Sequence, residues 1–186
     1  EDFTVTHNTT LLFSMIVSWV LTGKRVIVIS NEIRYEDVLY KLYAQIAGID
    51  QSAKRKGSLT DVDKKKLLAV RHFLAQNNNL HVVKKPIHDV NHITSYIEND
   101  TDIVAIDGAY LMAKSPDWKD LTQVSNTLRA ISNNTGVAIV GVIQANRSAA
   151  EKTSLESVAG SDSFTQDADI LLGVNNAGAI VGGRSV

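Results

Sequence analysis

The chain has 186 residues, of which 44% are hydrophobic and 21% charged, and its formal net charge at pH 7 is -1. This length and composition predict one globular domain over residues 1–186 and exclude a histone-like protein held to nucleic acid by global charge, so any such binding needs a local basic stripe or several assembled copies. The chain has no cysteine, which excludes a disulfide framework and a thiolate metal site and leads us to expect a cytoplasmic protein.

The longest apolar stretch, residues 11–21, predicts a buried helix rather than a membrane span. It is too short to cross a bilayer, contains Ser14 and Ser18, and is followed by Thr22-Gly23-Lys24, a typical helix stop. We therefore expect no membrane association. The chain begins without Met and without a basic leader, so we expect a domain of a longer protein rather than a secreted precursor.

Strand and helix patterns alternate along the chain. Apolar, mostly β-branched runs predict strands at residues 3–5, 26–30, 81–83, 103–106, 138–143 and 170–173. Most of these runs are near-continuous, which is typical of strands covered on both faces of a parallel sheet. Helical patterns lie at residues 10–22, 35–47, 61–76, 90–98 and 121–134, with Asp61 and Asp120 as expected caps. The alternation predicts a doubly wound α/β fold, which binds ligands at the carboxyl ends of its strands.

Two segments depart from this alternation. Residues 51–66 carry six basic side chains around Gly57-Ser58 and are interpreted as a solvated loop and a helix start. Residues 145–163 are rich in Ser, Ala and Gly and predict a long loop after a strand, which is a common position for functional residues.

Asp107 follows a buried strand, in the segment DIVAIDGAYLM (residues 102–112). In nucleotide-hydrolysing proteins, a carboxylate at this position holds the magnesium of a bound nucleotide, directly or through water. Alternatively, Asp107-Gly108 is an ordinary turn after a strand. The segment alone does not separate these two interpretations.

Polar groups suited to a nucleotide site follow other predicted strands. Glu32 follows the strand at residues 26–30, where a carboxylate can activate an attacking water, and Gln144 follows the strand at residues 138–143, where an amide can sense a terminal phosphate. Asp167 and Asp169 precede the last strand. Each has a simpler explanation: Glu32 could cap the next helix, Gln144 could form a loop hydrogen bond, and Asp167 and Asp169 could be turn acids. Their coincidence on successive strand ends nevertheless favours a common site.

In this order, the segments resemble the RecA-type ATPase core of the DnaB-like replicative helicases of bacteria and phages. The resemblance covers most of the chain. Its most specific parts are QVSNTLRAISNNTGVAIVGVIQANRS (residues 123–148), with the family's Gln-x-Asn-Arg motif, and GSDSFTQDADILLGV (residues 160–174), with its Gln-Asp-Ala-Asp stretch. VIVISNEI (residues 26–33) and IVAIDGAYLM (residues 103–112) match its glutamate and aspartate strands, which recur more widely among RecA-like ATPases.

The resemblance implies a motor that couples hydrolysis of magnesium-bound ATP to movement along single-stranded DNA, in a homo-oligomer that forms a hexameric ring. Glu32 would be the general base and Gln144 the phosphate sensor. Asp107 and Thr9 would hold magnesium, with Thr10 beside them in the nucleotide site. The residues implied at the DNA-facing loop are Asn146, Arg147 and, more weakly, Lys152.

The chain departs from the family at the phosphate-binding loop, Gly-x-x-x-x-Gly-Lys-Ser/Thr, whose backbone N–H groups and lysine hold phosphates. Residues 4–10 read TVTHNTT, with no glycine or lysine. If Thr9 is the magnesium-binding residue, Asn8 stands in place of the lysine and His7 in place of a glycine. Either several loop residues are missing from this sequence, or the site is degenerate and the protein is a non-hydrolysing assembly or regulatory subunit.

Overall fold

Two layers of helices enclose a parallel sheet. The structure is a computed structural model that describes residues 7–115, 117–143, 164, 167–172, 180–181 and 184–185. The α-helices are α1 (His7–Leu21), α2 (Tyr35–Ala47), α3 (Ala53–Lys56), α4 (Asp61–Asn77) and α5 (Trp118–Thr135). The strands are β1 (Val26–Ser30), β2 (Leu80–Val82), β3 (Ile103–Asp107), β4 (Ala138–Gly141), β5 (Ile180–Val181) and β6 (Arg184–Ser185). Two 3-10 helices span Val90–Tyr96 and Ala109–Met112.

The main sheet has four parallel strands in the order β2-β1-β3-β4. The chain runs from β1 outward to β2, crosses to β3 on the other side of β1, and then continues outward to β4. This reversal creates a topological switch point between β1 and β3. Their register pairs Val26 with Ile103 and Ser30 with Asp107, so both strands end at the same level.

The central strands are buried because apolar side chains point to both faces. In β1, Ile27 and Ile29 belong to one apolar cluster, and Val26 and Val28 belong to the other. All five residues of β1 are buried, as expected for the middle of a parallel sheet with helices on each side.

The two apolar clusters define the helical layers. The first cluster packs α5 and the 3-10 helix Val90–Tyr96 against one face of the sheet, through side chains that include Val124, Leu128 and Ile93. The second packs α1, α2 and α4 against the other face, with Phe13 and Leu42 among its fully buried members. The predicted doubly wound, three-layer α/β fold is therefore confirmed.

Most predicted elements are confirmed, two of them with identical bounds, β1 at residues 26–30 and α2 at residues 35–47. The predicted strand at residues 170–173 is wrong over Ile170, Leu171 and Leu172, which are described but form no strand. Ile170 and Leu172 are 80% and 64% exposed, so this apolar run is not buried against the sheet. The predicted strand at residues 3–5 lies outside the described residues.

The two helix caps were assigned to the wrong residues. Thr60, not Asp61, caps α4: its hydroxyl accepts from the Asp63 N–H at 3.1 Å, and the Asp63 carboxylate accepts from the Thr60 N–H at 3.0 Å. This reciprocal capping box satisfies two N–H groups that the helix cannot pair internally. The α5 cap is Asp117, and Asp120 instead accepts a hydrogen bond from the Ser115 hydroxyl.

None of the helices in the described part of the chain combines the length and the apolar character that a membrane crossing requires. Helix α1, which contains the longest apolar stretch, buries one side against the sheet and exposes Leu11 and Leu21 on the other. It ends before Gly23, which has a φ of +86°, in agreement with the predicted helix stop.

We expect Leu42→Ala to destabilise the fold by about 2–5 kcal/mol, because the side chain is fully buried between helices and sheet. The matched control is Leu68→Ala on α4, where leucine is 61% exposed and truncation costs about 0.5 kcal/mol or less. Urea denaturation measures both. Equal losses of stability would contradict the described packing.

Candidate functional site

Polar side chains converge at the switch point, where the carboxyl ends of β1 and β3 meet. Ser30, the last residue of β1, lies opposite Asp107, the last residue of β3. The connections leave these strands in opposite directions, and open parallel sheets bind ligands at such a switch point. The first turn of α1 reaches the same point through Thr9. Three segments distant in sequence thus contribute to one site.

The Asp107 carboxylate is fully buried and is held by two hydroxyl groups. Thr9 Oγ1 donates to Oδ1 at 2.9 Å, and Ser30 Oγ donates to Oδ2 at 3.1 Å. Burial raises the pKa of Asp107 above its ordinary value of 3.8, while both hydrogen bonds and the charge of Lys41 act to lower this pKa. Two neutral hydroxyls compensate a buried negative charge incompletely, so the site favours a cation near Asp107.

The geometry also bears on the alternative that Asp107-Gly108 is only a turn. Gly108 does turn the chain, with a φ of +77°, and precedes the 3-10 helix Ala109–Met112. The Asp107 carboxylate, however, bonds to Thr9 and Ser30, which are 98 and 77 residues away in sequence. A turn acid bonds to nearby backbone N–H groups. The turn interpretation therefore explains Gly108 but not the Asp107 side chain.

Helix α1 begins beside Asp107. Thr9, in its first turn, is 2% exposed, and the neighbouring Asn8 Nδ2 donates to the Ile143 carbonyl at 3.4 Å, beyond the end of β4. The first turn of α1 contains no acidic residue. A helix N-terminus carries a partial positive charge and N–H groups without intrahelical partners, which together favour anions such as phosphate.

Glu32 lies two residues beyond the end of β1, at the same edge of the sheet. Its Oε1 accepts a hydrogen bond from the Tyr110 hydroxyl at 3.0 Å. Partial burial, and then the nearby charge of Asp107, raise the pKa of Glu32 above its ordinary value of 4.5, and the bond from Tyr110 opposes this rise. A carboxylate with a raised pKa is a better proton acceptor, as a general base requires.

The backbone before Glu32 is fixed by its neighbour Asn31. The Asn31 N–H donates to the Asp107 carbonyl at 3.0 Å, which extends the β1–β3 pairing beyond both strands. The Asn31 side-chain oxygen accepts from the Ile87 N–H at 2.9 Å. Hydrogen bonds of Asn31 therefore attach the backbone beside Glu32 to Asp107 on one side and to Ile87 on the other.

The structure brings together three of the site residues expected from the sequence, namely Thr9, Glu32 and Asp107. Thr10 is adjacent in α1 but exposed, and its carbonyl accepts from the Ser14 hydroxyl at 3.0 Å. Asp167 and Asp169 are described: Arg129 Nη1 of α5 donates to the Asp167 carbonyl at 3.1 Å, and Asp169 is exposed. The other four expected residues lie outside the described part of the chain. These are Gln144, Asn146, Arg147 and Lys152.

Sequence reasoning missed two residues of this site, Ser30 and Tyr110. Ser30 was treated only as the end of a strand, although its position opposite Asp107 follows once β1 and β3 are taken as neighbours. The signal for Tyr110 was weak, because its hydroxyl reaches Glu32 across 78 residues of sequence.

The donor atoms at this site suit magnesium. Thr9 and Asp107 provide a hydroxyl and a carboxylate, which are the hard oxygen ligands that magnesium prefers. Within the described residues, no group of three or more His, Cys, Asp or Glu is arranged to hold a metal ion. Magnesium commonly binds through one or two carboxylates together with substrate phosphates and water. The residues present therefore fit a magnesium ion that arrives with a nucleotide.

The doubly wound sheet, with a buried carboxylate at its switch point beside a helix N-terminus, defines an α/β domain with the features of a nucleotide site. A solved structure of a DnaB-like replicative helicase, described with its interactions with primase, superposes with a TM-score of 0.74 at 20% identity, covering 89% of this chain and 43% of that one. A second solved structure, of an ATPase domain, gives a TM-score of 0.71 at 18% identity, covering 84% of this chain and 61% of that one.

The chain belongs to the family of DnaB-like helicase C-terminal domains, whose model matches residues 6–178. It is 24% identical over 167 residues to the replicative DNA helicase DnaB of Buchnera aphidicola subsp. Schizaphis graminum, covering 82% of this chain and 36% of that protein. It is 26% identical over 165 residues to the replicative DNA helicase DnaB of Haemophilus influenzae, covering 80% of this chain and 35% of that protein. The chain thus spans about a third of the length of these relatives.

We expect Asp107→Asn to raise the melting temperature at pH 7 in the presence of EDTA. Because burial raises the pKa of Asp107 in the folded chain, its ionisation costs stability, and this cost appears as the pH rises above 3.8. The amide avoids the buried charge, so the difference from wild type should shrink as the pH falls towards 3.8.

The control for this measurement is Asp89→Asn. The Asp89 carboxylate accepts from the Asn91 backbone and side chain, which lower the pKa of Asp89, so its neutralisation should not raise the melting temperature. Thermal denaturation followed by circular dichroism measures both variants. A lower melting temperature for Asp107→Asn than for wild type at pH 7 would contradict the inferred cost of the buried charge.

Proposed function

We propose that this chain is the motor domain of a replicative DNA helicase, which hydrolyses ATP and thereby moves along single-stranded DNA. The observation that carries the proposal is the hydrogen bond from Thr9 Oγ1 to Asp107 Oδ1 at 2.9 Å. This bond joins a helix N-terminus, suited to phosphate, to a buried carboxylate, suited to magnesium, at the switch point of the sheet. Membership of the DnaB-like helicase C-terminal domain family supports the choice of helicase over other ATPases.

In this proposal, Asp107 and Thr9 hold magnesium, with Thr10 in the adjoining nucleotide site. Bound magnesium neutralises charge that develops on the phosphates. The N-terminal turn of α1 faces the phosphate groups with its N–H donors. Glu32 orients the attacking water and accepts its proton, a role for which its raised pKa is suited.

The remaining roles follow from the family and concern residues outside the described ranges. Gln144 senses the terminal phosphate and relays its presence to the residues that follow it. Of those, Asn146, Arg147 and, more weakly, Lys152 contact the phosphates of single-stranded DNA. We propose, from the resemblance to the family, that the chain acts as a homo-oligomer, a hexameric ring. Its net charge of -1 gives no global attraction for DNA, so contacts with DNA would come from local basic side chains on the assembled copies.

A second function is favoured by Asn8, which, if Thr9 is the magnesium-binding residue, stands where the family has the phosphate-loop lysine. Its neutral side chain donates to the Ile143 carbonyl and supplies no positive charge for a phosphate. A chain with this substitution and without the loop glycines would assemble with, or regulate, an active partner instead of hydrolysing ATP. Wild-type turnover distinguishes this alternative from the motor.

We expect Asp107→Ala to abolish ATP turnover and Glu32→Gln to reduce kcat at least about 100-fold while leaving the KM for ATP largely unchanged. Phosphate release with and without single-stranded DNA measures both effects. The control is Glu36→Gln, an exposed residue in the first turn of α2, which should retain wild-type turnover. Full activity in Asp107→Ala would refute the assignment, and no turnover in wild type would favour the regulatory alternative.

A further inference from the structure

Tyr110 lies in the 3-10 helix Ala109–Met112, which follows β3 after Gly108. Its neighbours Ala109 and Met112 are 1% and 3% exposed and pack in the core. The Ala109 N–H donates to the Val142 carbonyl at 3.0 Å, which fixes this short helix to the segment after β4. The Tyr110 hydroxyl therefore projects from a well-anchored backbone when it donates to Glu32 Oε1.

Gly108 forms the other side of the Glu32 position. A Cβ atom added at residue 108 would lie 2.9 Å from Glu32 Cγ and 3.3 Å from Oε1. A side chain at residue 108 would therefore collide with Glu32, and only glycine leaves room for it. The Glu32 side chain lies between Gly108 and the Tyr110 hydroxyl.

The hydrogen bond leaves one carboxylate oxygen of Glu32 available. Oε1 accepts from Tyr110, and no donor to Oε2 is present within the part of the chain that the structure describes. A general base needs one oxygen free for the proton of water and a fixed orientation of the carboxylate. An orienting hydrogen bond on the other oxygen provides that orientation, as second-shell partners do for catalytic and metal-binding groups.

We propose that Tyr110 is a positioning residue that orients Glu32 for attack of water on the nucleotide. This inference rests on the proposed function and adds a residue to its machinery. The pKa of Tyr110 is raised to about 12, chiefly by burial and by the charge of Glu32. The hydroxyl consequently remains protonated, and able to donate, at neutral pH.

A merely structural role predicts a different outcome on mutation. The bond joins two partly exposed side chains, and such a bond contributes little to stability. Removing the hydroxyl should then change neither stability nor turnover if the bond is only structural. A positioning role predicts unchanged stability and slower chemistry, because the base loses its fixed orientation.

The test is Tyr110→Phe in the 186-residue chain, which removes one oxygen and keeps the ring. We expect kcat for ATP to fall about tenfold or more, with the KM for ATP and the melting temperature unchanged. The matched control is Tyr96→Phe, a tyrosine in the other 3-10 helix that stacks edge-on with His81. Wild-type kcat in Tyr110→Phe, with an active wild type, would overturn the inference.

A double variant shows whether Tyr110 acts through Glu32. If it does, Tyr110→Phe should cause no further loss of kcat in the Glu32→Gln background, whereas an additive tenfold loss would overturn the positioning role.

The same set of variants separates the two proposals. If wild type turns over ATP and Glu32→Gln does not, a wild-type kcat in Tyr110→Phe contradicts only the role of Tyr110. If Glu32→Gln has no effect on turnover, the proposed function itself fails.

Discussion

The buried carboxylate of Asp107 is the constraint on which the rest of the site depends. A negative charge in this position is costly unless it is hydrogen-bonded or paired. The Thr9 and Ser30 hydroxyls meet part of that requirement and, in doing so, attach α1 and β1 to the end of β3. The bond from the Asn31 N–H to the Asp107 carbonyl extends this attachment to the segment that carries Glu32. One acidic residue thus organises three separate parts of the chain.

The same arrangement explains why the site is prepared for a ligand. Burial without full compensation raises the pKa of Asp107. A cation bound there would offset the free-energy cost of the buried negative charge. The charge of Asp107 in turn contributes to the raised pKa of Glu32, which suits Glu32 to accept a proton. Position 8 carries the neutral side chain of Asn8, which donates to the Ile143 carbonyl, and the partial positive charge at the N-terminus of α1 favours an anion there.

Much of the fold was predictable because the residue pattern within each element indicates whether it is a strand or a helix. The continuous apolar run of β1 and the helical period of α2 gave these elements with their observed bounds, and the position of Asp107 at a strand end followed from the same pattern. The cap at Thr60 was missed because an adjacent acid, Asp61, offered an equally good local signal. The strand expected at residues 170–173 was wrong over Ile170, Leu171 and Leu172, because an apolar run becomes a strand only when it pairs with a neighbouring strand, and these three residues form no such pairing in the described part of the chain.

The site was predictable only in part, for a different reason. Glu32 and Asp107 could be placed together because neighbouring parallel strands end at one edge. The bond between Tyr110 and Glu32 depends on the turn at Gly108 and on the position of a short 3-10 helix, which local sequence patterns do not specify. Calorimetric titration of ATP, with magnesium or EDTA, into wild type and Thr9→Val tests the site at Asp107 most directly. We expect binding that needs magnesium and is weakened by loss of the Thr9 hydroxyl, and absence of magnesium-dependent binding in wild type would contradict a nucleotide site there.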